Sequence, residues 1–364
     1  MRHGVLASQH LKDFIEGDFI KGVEKSYVNP ASIDLALGEE AYRLECVFLP
    51  RKGQTVRSML KTIGATAHDL RLPLEVNVPY LIHFKGQFEL PEGVYGYANP
   101  KSSTGRLNLF SRTVADGVWM FDAITEAWTG ELWMLIRPDS FPVLLSPGQA
   151  VSQMRLFDGR GFLDELELKT ALNKKLLYHP NSTPFTPAEA SAQRHGDSLF
   201  LSAGLPDGLV GYECRGTHKV LDFGKVGCYK PEQFFTPMYA KGGSILLRQG
   251  SFYILTTKER VRVPAEYSAE LRATDQRLTN SRIHAAGFID SGWGFGLDGE
   301  VQGRPITLEV TTNEDNVLLQ DGQNVARIKY EWMRERPEKL YDEVRSNYTT
   351  QATAQLSKHF KAVA

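Results

Sequence analysis

The sequence is poor in cysteine and has no excess of charge of either sign. Its 364 residues contain three cysteines, Cys46, Cys214 and Cys228, which are far apart and form no CxxC pair. Neither a disulfide framework nor a cysteine zinc site is expected, and a reducing compartment fits best. The 42 lysines and arginines balance 43 aspartates and glutamates to a formal net charge of −1. The chain as a whole therefore has no electrostatic reason to bind nucleic acid or an acidic membrane.

Long apolar runs are also absent. No run approaches the roughly 18 residues of a membrane helix. Lys12, Asp13, Glu16 and Asp18 interrupt the apolar residues of positions 1–22, where a signal peptide would need an uncharged core. The hydrophobic fraction of 42% is ordinary for a globular protein. We expect a soluble cytoplasmic protein, and its length suggests about two domains.

Several common catalytic motifs are missing. The sequence has no HExxH, GxSxG or P-loop motif, and it lacks the H-x-E with a downstream P-C-x-x-C of zinc deaminases. Residues 292–296 are rich in glycine, but no helical pattern follows them. A β-turn is therefore favoured there over a phosphate-binding loop.

The chain contains an internal repeat. Residues 143–151 recur as residues 317–325, at an offset of 174, with six of nine positions identical. Leu90-Pro91 matches Val263-Pro264 at an offset of 173. Two matches at nearly one offset indicate two diverged copies of one unit. A segment with Pro, Asn, Ser and Thr separates them and predicts a linker. The predicted boundaries are 1–172 for the first copy, 173–197 for the linker and 198–364 for the second copy.

Most of the chain has the pattern of short strands. Residues 251–263, 305–311 and 316–319 are rich in Val, Ile, Thr, Tyr and Phe, and turn residues lie between them. Apolar residues at 9–19 have helical spacing, and residues 337–344 are predicted as a second short helix. These patterns predict two β-rich barrels or sandwiches.

One segment of the first copy is rich in groups that bind anions. Within residues 99–107, two cations and three hydroxyls lie close to the flexible Gly105. Such a set suits an oxyanion or a phosphate, although a polar surface turn has the same composition. The groups are Lys101, Ser102, Ser103, Thr104 and Arg106.

Two acidic residues of the second copy are candidates for chemistry. In residues 305–311 apolar and polar residues alternate, so Glu309 points away from the apolar face of its strand. It is either a solvated strand glutamate or a site residue. The repeat places Leu135 at the equivalent position, which suggests that the copies do different jobs. Asp290 follows a stretch of small residues, which is typical of a ligand-contacting backbone or of an Asx turn.

Five segments carry a set of motifs in a fixed order. Residues 29–38 are similar to PASxDLRLG, residues 101–107 to R-S-S-x-x-R-L and residues 285–293 to T-A-x-x-I-D-P-G-W. Residues 306–309 are similar to a strand that carries a catalytic glutamate, and residues 346–351 to S-K-Y-x-x-Q. Together they resemble the dCTP deaminase and dUTPase superfamily, and the deaminase branch most closely. The resemblance implies a mainly β fold: two tandem dUTPase-like distorted β-barrel domains, of the β-clip or jelly-roll kind, with a few short helices.

The resemblance also implies which residues form the site. Glu309 would be the catalytic proton carrier, and Ser102 and Arg106 would orient the attacking water or stabilise developing charge. Lys101 replaces the family's first arginine, so it would contact phosphate as a point charge. The residues implied to hold the substrate are Lys101, Ser103, Ala286, Asp290, Tyr341, Tyr348 and Gln351.

The copies depart from the family pattern in complementary ways. The first keeps the serines and the arginine but has Thr125 and Leu135 at the aspartate and glutamate positions. The second keeps both acidic residues. At the two serine positions and the arginine position we place Ala273, Thr274 and Arg277. Since family sites lie between subunits of a trimer, the resemblance implies one composite site from both copies, within one chain or between neighbouring chains.

The implied activity is hydrolytic deamination of dCTP to dUTP and ammonia without a protein-bound metal. Mg²⁺ would arrive with the triphosphate, zinc would not be needed, dTTP is an implied inhibitor and a homo-oligomer is expected. Two alternatives stay open. One is dUTP diphosphatase activity, alone or after deamination, with Asp290 activating water. The other is a nucleotide-binding module without turnover. Glu309 favours the deaminase, because the dUTPase branch generally lacks this residue.

Overall fold

The computed structural model describes residues 3–273, 281–284, 287–312, 315–344 and 348–362, and strands dominate these ranges. In the first half the strands are β1 (Gly4–Val5), β2 (Ile20–Lys21), β3 (Ile33–Arg43), β4 (Thr66–Ala67), β5 (Tyr80–Phe84), β6 (Gln87–Glu89), β7 (Val94–Pro100), β8 (Leu109–Ala115), β9 (Ala123–Ile124), β10 (Thr129–Gly130), β11 (Leu132–Pro138), β12 (Val143–Leu144) and β13 (Ala150–Asp158).

The remaining strands are β14 (Leu177–Tyr178), β15 (Arg194–His195), β16 (Ser198–Ser202), β17 (Gly208–Cys214), β18 (Leu221–Asp222), β19 (Phe235–Ala240), β20 (Ser244–Leu247), β21 (Phe252–Val261), β22 (Tyr267–Ala273), β23 (Ser281–His284), β24 (Phe288–Ile289), β25 (Arg304–Thr312), β26 (Val317–Gln320) and β27 (Asn324–Trp332). The α-helices are α1 (Ser8–Glu16), α2 (Val56–Thr62), α3 (Ser102–Gly105), α4 (Glu165–Ala171) and α5 (Pro187–Ala192). Single 3₁₀ turns lie at Lys25–Tyr27, Leu172–Lys174 and Pro231–Gln233. The mainly β class is confirmed. Across these described ranges, no helix is long and apolar enough to cross a membrane.

Antiparallel sheets form the frame of both halves. In the first half the strands pair in the order β8-β11-β5-β3-β13-β7-β9. In the second half β19-β17-β21-β25-β23 form one sheet and β15-β16-β27-β22-β24 form another. Side chains alternate between the two faces of a strand. One face of these strands therefore buries Tyr80, Phe84 and Met134 in the first half and Leu255 and Leu308 in the second.

The two halves have equivalent strand registers. Ser152 lies opposite Pro100 in the first half, and Ala326 lies opposite Ala273 in the second. These pairs differ by 174 and 173 residues, which are the offsets of the sequence repeat. Ala273 is therefore level with Pro100. The match of Ala273 to the position of Ser102 is wrong by two residues.

The registers also align the strands that differ in their acidic residues. Leu135 lies opposite Leu81, and Glu309 lies opposite Ile254, again at offsets of 174 and 173. Leu135 and Glu309 are thus at equivalent positions, as the repeat predicted. The rest of the predicted serine and arginine segment of the second copy lies outside the described residues, namely Thr274 and Arg277.

Most of the predicted elements are present. α1 confirms the helix predicted at residues 9–19, and β21, β25 and β26 confirm the three predicted strands. The helix predicted at 337–344 is wrong, because the backbone N–H of Tyr341 donates to the carbonyl of Ser291 at 2.8 Å and the chain forms turns there. The predicted linker contains β14, which pairs with β21 and buries Leu177 in the second core.

The two halves share part of one core. Phe141 of the first half packs edge to face against Phe234 of the second, with ring centroids 4.9 Å apart. Phe235, Leu356 and Phe360 also join the core of the first half. Because protein interiors are close-packed, this shared packing fixes the surfaces that face each other between the halves.

Candidate functional site

A cavity of about 220 Å³ lies between the two halves. Gln351 contacts Arg106, and Ala286 lies outside the described residues. The residues that line the cavity come from both halves of this chain. The cavity is lined by eight of the ten residues that the sequence predicted: Lys101, Ser102, Ser103, Arg106, Asp290, Glu309, Tyr341 and Tyr348.

The short helix α3 positions the hydroxyls and cations of the first half. It begins where β7 leaves the sheet, and the backbone N–H of Lys101 donates to the carbonyl of Val151 at 3.0 Å. The Thr104 hydroxyl donates to the same carbonyl at 2.8 Å. The Lys101 ammonium pairs with Asp34, whose carboxylate also accepts a hydrogen bond from Asn29 at 2.8 Å. The predicted anion-binding segment thus lines a cavity and is not a polar surface turn.

Arg106 is buried and is held by the C-terminal segment. Its Nη1 donates to the carbonyl of Gln355 and its Nη2 to Oε1 of Gln351, both at 2.9 Å. The Tyr348 ring lies 3.8 Å from its guanidinium carbon, which is cation–π distance. Gln351 in turn donates to the carbonyl of Pro305 at the start of β25. Arg106 therefore links the first half to both the tail and the second half.

Glu309 lies in the middle of β25 and is 3% exposed. Its neighbours Leu308 and Val310 point to the other face, into the second core. Its carboxylate packs against α3 of the first half. A Cβ added at Gly105 would lie 2.2 Å from Oε2 of Glu309, so only glycine leaves room for the carboxylate in this place. The strand glutamate is therefore buried and not a solvated strand residue.

A second cavity, of about 310 Å³, also reaches Glu309. Asn99 and Asp122 of the first half and Glu270 and Arg272 of the second line it. Burial raises the pKa of Asp122 to about 6, against the opposing effect of a neighbouring arginine. Glu309 therefore lines both cavities.

Asp290 follows β24 directly and is 8% exposed. Arg155, from β13 of the first half, donates from Nη2 to Oδ1 of Asp290 at 3.0 Å. Burial raises the pKa of the Asp290 carboxyl, and Arg155 acts in the opposite direction. A residue predicted from the second copy is thus held by a cation from the first.

Lys358 adds a second ammonium to the cavity. Its backbone N–H donates to the Tyr348 hydroxyl at 3.3 Å, and its side chain lines the cavity together with Lys101. Burial lowers the pKa of Lys358, and the charge of Lys101 lowers it further, while Asp34 opposes them. Two lysines and one aspartate therefore share this end of the cavity, which favours an anionic ligand.

The same tail segment is fastened to the walls of the cavity. The Ser357 hydroxyl donates to the carbonyl of Ser103 at 2.7 Å. The His359 ring lies within hydrogen-bond distance of the Ser357 hydroxyl, at 2.9 Å, and of the carbonyl of Phe223, at 3.1 Å. Burial lowers the pKa of His359 to about 4. A neutral histidine thus anchors the tail at neutral pH.

Three buried polar atoms on the cavity wall have no hydrogen-bond partner among the described residues. They are Nε of Arg106, Nε1 of Trp293 and Oγ1 of Thr307. Buried polar groups without partners are costly in a finished core. Their convergence on one cavity therefore indicates a polar ligand there.

Sequence reasoning missed several of these residues. Trp293 could have been predicted, because it is the last residue of the segment 285–293 that was matched to a motif. Thr307 could also have been predicted, because it lies two residues before Glu309 and therefore on the same face of β25. Arg155 and Lys358 gave no signal, because each acts through a contact between segments that are distant in the chain.

The equivalent face of the first half is closed. Leu135 packs with Leu81 and Trp133, and Val56 and Leu60 of α2 cover them. All of these side chains are buried. The first half therefore has a hydrophobic core where the second half has Glu309 and a cavity.

Metal ligands are not clustered in the described residues. Within the five described ranges, no group of three or more His, Cys, Asp or Glu side chains is arranged to hold an ion.

Comparisons with known proteins cover both halves. The 2′-deoxycytidine 5′-triphosphate deaminase (DCD) N-terminal domain model matches residues 2–160, and the C-terminal domain model matches residues 173–360. A solved structure of 2′-deoxycytidine 5′-triphosphate deaminase from Agrobacterium tumefaciens is 34% identical in sequence. The match covers 94% of this chain and 98% of that one, with a TM-score of 0.84. No curated protein matches the chain.

Proposed function

We propose that this chain, which belongs to the 2′-deoxycytidine 5′-triphosphate deaminase family, deaminates dCTP to dUTP and ammonia in the cavity between its halves. The observation that carries the proposal is the composition of that one cavity. A buried carboxylate, Glu309, lies with a second carboxylate, Asp290, and with the hydroxyls and cations of α3. An acid–base group and an anion-binding end within one cavity are what a reaction on a nucleoside triphosphate requires.

Glu309 carries the protons of the reaction. Water adds to C4 of the cytosine ring and its proton passes to the carboxylate, which delivers it to N3. A second transfer, from the new hydroxyl to the amino group, lets that group leave as ammonia while the C4 carbonyl forms. The close contact with Gly105 keeps the carboxylate in one place. Ser102 and Nε of Arg106 orient the water or stabilise the charge that develops on the ring.

The rest of the cavity holds the sugar and the triphosphate. Asp290 accepts a hydrogen bond from the deoxyribose 3′-hydroxyl. The two ammonium groups form the anion-binding end of the cavity, where they would contact the phosphate oxygens of the Mg²⁺-bound triphosphate. Gln351 acts through Arg106, which it holds at 2.9 Å. The groups proposed to contact the triphosphate are Lys101, Lys358, Ser103, Tyr341 and Tyr348.

Further parts of the proposal rest on the family resemblance. We propose that Mg²⁺ enters only as part of the nucleotide, that deamination uses no protein-bound metal, and that dTTP inhibits. A homo-oligomer, a cytoplasmic location and an ancestral tandem duplication belong to the same proposal. The equivalent strand registers of the two halves support the duplication.

Product analysis tests the activity. The purified protein, freed of zinc by chelation, is incubated with dCTP and Mg²⁺, and the nucleotides are separated by chromatography. We expect dUTP and ammonia, and we expect Glu309→Gln to lower kcat by about 10²- to 10⁴-fold, since it removes the proton carrier. Glu89→Gln is the matched control, because Glu89 is also a strand glutamate but pairs with Lys21 at 2.8 Å and lies outside the cavity.

The other outcomes are equally definite. Formation of dUMP without persistent dUTP would add a diphosphatase step to the deaminase. Cleavage of dUTP with dCTP left intact would refute the role of Glu309. Binding of dCTP without any turnover would reduce the cavity to a nucleotide-binding site.

A further inference from the structure

Arg155 is a fully buried cation of the first half, and most of its polar contacts are to the second half. It has no exposed surface, although it lies on β13, whose neighbours in the chain are apolar. Its Nη1 contacts Glu331 and donates to the carbonyl of Ala269 at 3.1 Å. Its Nη2 donates to Asp290, and the ring of Phe288 lies 4.2 Å from its guanidinium carbon. These contacts fix the orientation of the planar guanidinium group.

Two carboxyls share this one cation. Glu331 is fully buried, and its Oε2 accepts a hydrogen bond from the Ser268 hydroxyl at 2.9 Å besides the contact with Arg155. Its Oε1 has no partner among the described residues. One guanidinium cannot neutralise two buried carboxylates, so one carboxyl of the pair is expected to hold a proton. Burial raises the pKa of both carboxyls, which agrees with a single proton shared by the cluster.

The orphaned oxygen identifies the carboxyl that is neutral. Glu331 has no exposed surface, while Asp290 lines the cavity and keeps 8% of its surface exposed. Protonation of Glu331 therefore costs less free energy than protonation of Asp290, because it neutralises the carboxyl whose second oxygen has no partner among the described residues. The single charge of Arg155 is then left to Asp290.

We propose that Arg155 is a positioning residue that holds Asp290 ionised and aimed at the nucleotide sugar, with Glu331 as its neutral second partner. The inference rests on the proposed function, in which Asp290 accepts from the 3′-hydroxyl. It assigns sugar recognition to a cation of the first half. The site is then composite in its supporting residues as well as in those that face the substrate.

The test compares two substrates that differ in the 3′-hydroxyl. Parent, Arg155→Met and Arg155→Lys are assayed with dCTP and with 2′,3′-dideoxycytidine triphosphate. A hydrogen bond to a charged group is worth a factor of about 10 to 100. We expect Arg155→Met to lower kcat/KM for dCTP by that factor through KM. The dideoxy substrate should lose less than about threefold, and lysine should restore part of the preference.

Each outcome has a separate meaning. An equal loss for both substrates would overturn the inference, because general damage to the fold does not depend on the 3′-hydroxyl. A parent enzyme that turns over neither substrate would refute the proposed function instead. The surface variant Arg160→Met controls for loss of an arginine, since Arg160 pairs with Glu167 at 2.9 Å far from the cavity.

A second variant decides the question if Arg155→Met does not fold. Glu331→Gln replaces a neutral acid by a neutral amide of the same shape. We expect this variant to keep the parental preference for dCTP over the dideoxy substrate. Loss of that preference to the level of Asp290→Asn would show that Glu331 carries the charge, and the inference would fail.

Discussion

Gly105 is the residue whose change tests the catalytic geometry most directly. It is helical in φ, so alanine is allowed by its backbone. The new Cβ, however, would lie 2.2 Å from Oε2 and 2.6 Å from Cδ of Glu309. Ordinary van der Waals contact begins at 3.4 Å, so the carboxylate must withdraw by about 1 Å. Misplacement of a reacting group by about 1 Å costs about 100-fold in rate.

Gly105→Ala should therefore lower kcat for dCTP about 100-fold and leave the fold intact. The atoms that must move belong to the end of one side chain, so overpacking should cost no more than about 1 to 3 kcal/mol. Ammonia release gives kcat, and thermal unfolding gives stability. Gly216→Ala is the control, because a Cβ there meets no atom within 4 Å. A folded Gly105→Ala protein with parental kcat would refute the placement of Glu309 at the reacting ring.

Two further predictions concern the tail. Lys358→Gln should raise KM for dCTP about tenfold or more and leave deoxycytidine turnover unchanged, since only the triphosphate needs the cation; an equal effect on both would contradict this. The pKa of His359 is about 4 in the fold and 6.5 unfolded, so its contribution is complete above pH 6.5 and is lost as pH falls towards 4. In urea unfolding, the parent should lose about 3 kcal/mol of unfolding free energy between pH 6.5 and pH 4 through this residue, and His359→Gln should not show that loss. The same pH dependence in both proteins would contradict the prediction.

Local patterns of the sequence were enough to predict the elements that carry the site. The strand of Glu309 and the turn of Asp290 follow from alternation and from turn residues, because each depends on a few neighbours in the chain. The equivalence of Leu135 and Glu309 follows from the repeat, and the strand registers agree with it. The match of Ala273 to a serine position failed because the sequence alone does not show how the two halves align next to a strand end.

Contacts between distant segments could not be predicted in the same way. Arg155 stands at a position whose repeat partner is Lys329, so the sequence shows two cations in a pair of equivalent strands. Arg155 is fully buried against Asp290, whereas Lys329 pairs with Asp197. Tertiary surroundings alone separate a positioning residue from a surface ion pair. The same holds for Lys358, which reaches the cavity because Ser357 and His359 fasten its backbone.

The difference between the halves explains why, among the described residues, a cavity lies at Glu309 and not at the equivalent Leu135. At Glu309 the strand face is open towards α3 of the other half, and Gly105 leaves room for a carboxylate. At Leu135 the equivalent face is covered by Val56 and Leu60 of α2. A carboxylate at position 135 would be buried among apolar side chains without a partner, which costs several kcal/mol. With α2 covering that face, a hydrocarbon is the stable choice at position 135. The second half instead supplies Glu309 and Asp290, and α3 of the first half supplies hydroxyls and a cation beside them.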